Sequence, residues 1–139
     1  MKTASTVCPG AFEISYSGDE AEIRLRENII CDESGTGEGT IWKYDEYVIR
    51  VRNREGLSES VAGAVDTWLS AAKQAEYDSA AEEVRRRRNA LLTASDWTQA
   101  ADSPLPDEMR SAWAVYRQAL RDITDTESFP YDVTFPDEP

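Results

Sequence analysis

The hydrophobic period of this chain switches at Gly56, from two residues to about 3.6, and a chain patterned that way predicts a sheet followed by helices. Before the switch, Phe12-Glu13-Ile14-Ser15-Tyr16 alternates apolar and polar side chains, and Ile23 and Leu25 alternate with Arg24 and Arg26. Ser17-Gly18-Asp19-Glu20 supplies turn chemistry between the two runs, which predicts a hairpin. A longer strand is expected over about 40–53, where Tyr47, Ile49 and Val51 share one parity. Trp42 and Tyr44 are out of phase with that set, which predicts a bulge or break near Asp45-Glu46. Three or four antiparallel strands with one wet face fit this pattern. The acidic, glycine-rich run from Asp32 to Gly39 reads as a flexible loop.

After the switch, Leu57, Val61, Ala64, Val65, Trp68, Leu69 and Ala72 fall on one helical stripe, with Ser58 as the expected N-cap. Tyr77, Ala80, Ala81, Val84 and Leu91 form a second stripe; one long helix, or two with a joint near 73–79, both fit. A third helix opens near Pro106-Asp107-Glu108, where proline is tolerated and acids complement the helix dipole. Its apolar face is Met109, Ala112, Trp113, Tyr116, Leu120 and Ile123. Together with a short connection carrying Trp97, these elements predict an αα-hairpin. The expected fold class is α+β: an N-terminal antiparallel sheet, helices ending in the αα-hairpin, and an extended C-terminal arm. The corresponding regions are 1–55, 56–124 and 125–139. The Val61, Val65, Trp68 and Leu69 stripe is expected to cover the sheet face bearing Ile14, Ile23, Leu25, Ile49 and Val51.

Acidic residues outnumber basic ones 27 to 15, so neither nucleic acid nor an anionic membrane is the expected partner. No stretch approaches the roughly 18–20 apolar residues that span a bilayer. The N-terminus carries no apolar run of the signal-peptide kind, which predicts a cytoplasmic product. Cys8 and Cys31 are too few for a zinc site and no histidine completes one, so no metal or cofactor is expected. Cys31 follows Ile29-Ile30 and reads as a small buried apolar residue. The absence of histidine also removes the commonest general base, and no catalytic residue is assigned. Gly35, Gly37 and Gly39 make a weak phosphate-loop lookalike that leads into a strand instead of a helix. The consecutive Arg85, Arg86, Arg87 and Arg88 read as a solvated helix face, with Glu82–Arg86 and Glu83–Arg87 at i,i+4 spacing, or as a patch for an acidic surface.

Three segments carry a resemblance. Arg88-Asn89-Ala90-Leu91-Leu92-Thr93-Ala94-Ser95-Asp96-Trp97-Thr98-Gln99 comes first, then Ala112-Trp113-Ala114-Val115-Tyr116-Arg117-Gln118-Ala119-Leu120-Arg121-Asp122. Phe129-Pro130-Tyr131-Asp132-Val133-Thr134-Phe135-Pro136 closes the chain's apolar pattern. In this order and spacing, over about 84–136, they resemble the phage tail assembly chaperone family. The resemblance implies a non-enzymatic bacteriophage or prophage protein that binds a tail or tail-fibre protein and assists its folding or assembly. It implies action in the host bacterial cytoplasm, with retention in the virion tail left open, as is homo-oligomerisation. Two alternatives stand beside it: a permanent structural component of the tail or baseplate, and an enzyme such as a wall-degrading accessory.

The candidate partner-binding residues are Trp97, Trp113, Tyr116, Arg117, Arg121, Phe129, Tyr131 and Phe135, because Trp, Tyr and Arg are the side chains enriched at binding hot spots. Trp97 has two readings, folded back as core against Trp113 or Tyr116, or exposed for docking. Asp96 is either a turn cap or an ion-pair partner of Arg117 or Arg121. In the arm, Phe129, Tyr131, Val133 and Phe135 recur with period two between prolines, which suits a strand added to a sheet edge. That edge belongs either to the chain's own sheet or to a partner.

Overall fold

The computed structural model describes residues 1–32 and 40–139, so the acidic glycine loop and its phosphate-loop lookalike lie outside the described residues. The elements run β1 (Lys2–Ser5), β2 (Phe12–Ser17), β3 (Glu20–Asp32), β4 (Ile41–Arg52), α1 (Leu57–Gly63), α2 (Val65–Ala94) and α3 (Asp107–Asp122). A 3-10 turn at Asp96–Gln99 follows α2, and another at Ile123–Asp125 extends α3. The α+β class expected from the period switch is therefore observed. The chain forms two compact units, Met1–Glu76 and Tyr77–Pro139. Their division falls inside α2, and α1 and the first turns of α2 bury their apolar stripe on the sheet.

In the first unit the four strands are antiparallel in the order β1-β4-β3-β2. The β2–β3 hairpin turns through Gly18 at φ 59°, a conformation that suits glycine. On one face Ala21, Ile23 and Leu25 are buried, with Phe12, Ile14, Tyr47, Ile49 and Val51 beside them. Leu57, Val61 and Ala72 cover that face, joined by Val65, Trp68 and Leu69, as their helical spacing predicts. Lys73 fastens the helix to the sheet: its Nζ lies 2.7 Å from a Glu27 carboxylate oxygen and 5.2 Å from the centre of the Tyr47 ring.

Several local expectations are corrected. The edge strand β1, Lys-Thr-Ala-Ser, has no apolar alternation and gave no signal in the sequence. β4 runs unbroken, and the irregularity lies opposite it, between Glu27 and Ile30 of β3. Asn28 absorbs the extra residue there at φ 51°, a left-handed conformation that asparagine tolerates. Trp42 and Tyr44 are out of phase simply because they belong to the other face. The cap of α1 is Gly56, at φ 72°, so Ser58 lies within the first turn. The helical stretch breaks at Ala64 and then runs unbroken through 73–79. Cys31 is half-buried, opposite Trp42, and Cys8 is exposed.

The second face of the sheet is a lattice of charge. Arg26 reaches Glu46 at 2.9 Å and Glu13 at 2.7 Å, while Arg24 reaches Glu22 at 2.7 Å and Glu46 at 3.4 Å. Arg50 completes it at 3.0 Å from Glu22. Tyr44 is buried on this face beneath the Arg26 guanidinium, 5.5 Å from its ring centre. Hydrogen bonds from Arg50 and then Arg24 hold the Glu22 carboxyl below its ordinary value, and Arg26 does the same for Glu13.

Two outcomes follow for stability. Ile23→Ala removes a fully buried side chain between sheet and helix and should cost about 2–5 kcal/mol in denaturant unfolding. Depressed carboxylates stabilise the fold above their unfolded pKa and lose that contribution as pH falls through the folded one. The thermal midpoint should therefore drop as pH falls below the ordinary value of 4.5, and Glu22→Gln should flatten that drop.

Candidate functional site

The second unit carries the three segments singled out in the sequence. Tyr116, Leu120 and Ile123 form its buried centre, with Val84, Leu91, Leu92, Trp113, Val133 and Phe135 packed around them. The αα-hairpin closes on Leu91, Trp113, Tyr116 and Leu120 as their stripes predict. Trp97 is the exception. It is 52% exposed, because the 3-10 turn points Thr98 inward and Trp97 outward.

Arg117 organises the turn. Although charged, it is only 8% exposed, and both terminal nitrogens of its guanidinium find acceptors. Nη1 donates to the Leu92 carbonyl at 2.6 Å and to Ser95 Oγ at 2.8 Å, and Nη2 to Asp96 Oδ1 at 2.6 Å. Leu92 is in the last turn of α2, where carbonyls lack intrahelical donors, so a cation placed there caps the helix and meets the negative end of its dipole. Ser95 Oγ donates in turn to the Leu91 and Leu92 carbonyls at 2.8 and 3.1 Å. Thr98, fully buried, donates from Oγ1 to the Ser95 carbonyl at 2.7 Å and accepts from Gln99 Nε2 at 3.0 Å. Of the two readings of Asp96, the ion pair with Arg117 is the one observed; its carboxylate makes no side-chain cap.

This clamp fixes where the aromatic rings lie. Trp97 and Trp113 have centroids 6.4 Å apart, and Trp113 meets Tyr116 edge-on at 5.4 Å. The three rings form a step from surface to core: Trp97 exposed, Trp113 half-buried, Tyr116 buried. Burial pushes the Tyr116 phenol up, with a further push from Glu138 partly offset by Arg87.

The arm is built into the same unit. Residues 127–132 turn, with bonds from the Phe129 amide to Thr126 and from the Tyr131 and Asp132 amides to Ser128. The Phe129–Pro130 peptide is cis, and the period-two strand expected here is absent from this stretch. Phe129 and Phe135 are half-buried against α2, where Arg85 lies 5.3 Å from the Phe129 ring centre and Arg87 4.1 Å from that of Phe135. Tyr77 meets both Phe129 and Tyr131 edge-on, at 6.3 and 6.2 Å. The arginine run thus divides: Arg85, Arg86 and Arg87 remain exposed, and two of them also face rings of the arm. Arg85 and Arg87 hold the arm by cation–π contact. Arg86 pairs at i,i+3 with Glu83, at 2.6 Å, instead of the expected i,i+4 pairs, and Arg88 bonds Asn89.

The eight candidate residues therefore separate. Trp97 and Tyr131 are exposed, at 52% and 62%, and Arg121 is exposed as well. Trp113 borders the surface. Tyr116 and Arg117 are buried structural groups, and Phe129 and Phe135 are engaged within the unit. Met109, one turn before Trp113 on α3, is a further exposed apolar side chain that sequence reasoning placed in the core stripe. Ser95 and Thr98 were missed as organising groups; their only sequence signal is their place on either side of Asp96-Trp97.

Residues 81–139 match the family model of the phage tail assembly chaperone protein. The matched stretch begins in the second half of α2 and takes in the clamp, α3 and the arm. Neither the curated proteins nor the solved structures hold a match to the chain. The tail assembly chaperone pattern thus corresponds in space to one compact unit, and its S-D-W-T-Q segment is the capped turn that Arg117 holds. Among the described residues no helix is long and apolar enough to cross a membrane, and no three His, Cys, Asp or Glu side chains group as metal ligands.

Removing the two sides of the clamp should have unequal effects. Arg117→Ala removes a buried side chain together with its bonds to the Leu92 carbonyl, Ser95 Oγ and Asp96, and should cost about 2–3 kcal/mol. Asp96→Ala leaves both Nη1 bonds in place and lets water reach Nη2 from the exposed side of the pair, so it should cost less, about 1 kcal/mol. Thermal denaturation of both variants decides it; equal costs would refute the asymmetry.

Proposed function

We propose that this protein binds a phage tail or tail-fibre protein in the host bacterial cytoplasm and assists its folding or assembly, without enzymatic chemistry. The observation that carries the reading is the family match over 81–139, coinciding with a compact unit whose most exposed large aromatic next to the clamp is Trp97. A transient assembly factor must present apolar surface without aggregating. A tryptophan half in water, on a turn pinned by buried hydrogen bonds, suits that requirement: it offers contact area at low entropic cost. The non-enzymatic part of the reading is supported by how Glu22, Glu46, Glu13 and Asp96 are used. Each is engaged by arginine in an ion pair.

The second reading, a permanent component of the tail or baseplate, draws support from the arm, which is packed as a fixed part of the unit. Co-expression with the phage tail genes tests the binding itself: a single tail or tail-fibre protein should copurify with the full chain at defined stoichiometry. Mass spectrometry of mature virions then separates the two roles. An assembly factor should be missing from them, and fixed copies per particle would favour the structural component. Copurification of no tail protein at all would reject both.

A further inference from the structure

We propose that the Trp97–Trp113 face is a receptor for a lysine or arginine side chain presented by the partner, with the Asp96 carboxylate as its counter-charge. This rests on the partner-binding role proposed above and names the chemistry of the contact.

Three observations converge on a basic occupant. The first is the exposed π surface: Trp97 is 52% exposed, stands 6.4 Å from Trp113, and Met109 extends the apolar edge by one helical turn. An indole face attracts a cation through its quadrupole more strongly than the other aromatic rings do. The second is charge. Between Arg88 and Arg110 the chain carries Asp96, Asp102, Asp107 and Glu108 and no basic residue, and all four acids are exposed. The third is the state of Asp96. One oxygen accepts from Arg117, yet the side chain remains 64% exposed, so the carboxylate still faces water. A neutral apolar group laid on Trp97 would strip water from that carboxylate without compensation. A cation would replace the lost hydration with an ion pair while its stem covers the indole, which is how Lys and Arg ordinarily use apolar surface. Arg117 does not compete for the role, since its own charge is buried and satisfied beneath the turn.

The rigidity of the turn also matters for recognition. Thr98 and Ser95 on either side of the Asp96-Trp97 pair are buried and hydrogen-bonded, so the indole and the carboxylate are presented together on a fixed backbone. Binding a side chain there orders little of the protein, which limits the entropic cost.

The test uses the full-length, nitrogen-15-labelled protein and three synthetic peptides: acetyl-Ala-Lys-Ala-Arg-Ala-amide, its Glu/Asp counterpart, and its Leu/Leu counterpart. Four indole N–H resonances report separately on Trp42, Trp68, Trp97 and Trp113. The basic peptide should move the Trp97 and Trp113 signals and leave Trp42 and Trp68 in place. Raising salt from about 50 to 300 mM should weaken that response, as screening of an exposed ion pair requires. Trp97→Leu, which keeps an apolar group but removes the π face, should weaken binding about fivefold, while Trp97→Phe should recover part of it. Asp96→Asn should weaken binding and remove most of the salt dependence. An equal response to the Leu/Leu or acidic peptide, or no response at Trp97, would overturn the proposal. The same variants separate it from the function it rests on. If a tail protein copurifies equally with the wild-type chain and Trp97→Leu, the receptor site is wrong and the binding role stands. If no tail protein copurifies while the basic peptide still binds at Trp97, the role fails and the site remains.

Discussion

Burying a guanidinium is costly unless acceptors replace its water, and the C-terminal unit is arranged around supplying them to Arg117. Its acceptors come from the end of α2 and from the turn after it, while Arg117 itself belongs to α3. One side chain therefore caps one helix, fixes the following turn and ties both to the next helix. The hydrophobic centre of Tyr116, Leu120 and Ile123 could pack in several ways at similar energy, because apolar contact is not directional. The guanidinium bonds are directional, and they select one register of α3 against α2. Trp97 is exposed as a consequence: with Ser95 and Thr98 turned inward to serve the clamp, the residue between Asp96 and Thr98 has only the outward direction left.

The arm extends the same logic with weaker forces. Arg85 and Arg87 each lie over a phenylalanine ring, and Tyr77 meets two aromatic rings edge-on. A strongly acidic terminal segment would ordinarily be expected to stay unattached. Here its aromatic residues find the one basic stretch in the unit, and its carboxylates accompany them. The charge run on α2 and the aromatic periodicity of the arm, unrelated along the sequence, are two halves of one contact.

The sheet unit shows a different division of labour between its faces. One face is covered by apolar side chains of α1 and α2, while the other satisfies itself through Arg24, Arg26 and Arg50 interleaved with Glu13, Glu22 and Glu46. Such a lattice contributes modestly to stability where water reaches it. It also favours the observed register, in which Glu13 faces Arg24, Glu22 faces Arg50 and Arg26 faces Glu46 across neighbouring strands.

Periodicity along the chain determined the element types, their order, the hairpin at Gly18 and the stripe from Val61 to Leu69 that covers the sheet. These follow from side-chain direction on regular backbones, which is a local property. The motif segments around Asp96-Trp97 and Trp113-Tyr116 were also legible, as was the helix start at Pro106. What tertiary structure decided is the use made of individual side chains. Tyr116 and Arg117 are buried while Trp97 is exposed, although all three are residue types that favour binding surfaces. Arg85 and Arg87 hold rings while Arg86 pairs with Glu83. The irregularity expected in β4 lies in β3 at Asn28, and the arm turns at 127–132 instead of extending. Apart from the Arg86–Glu83 pair and the bonds within the turn at 127–132, these outcomes depend on an acceptor, a ring or a strand far away in sequence, and a local pattern carries no record of which distant group satisfies a buried charge.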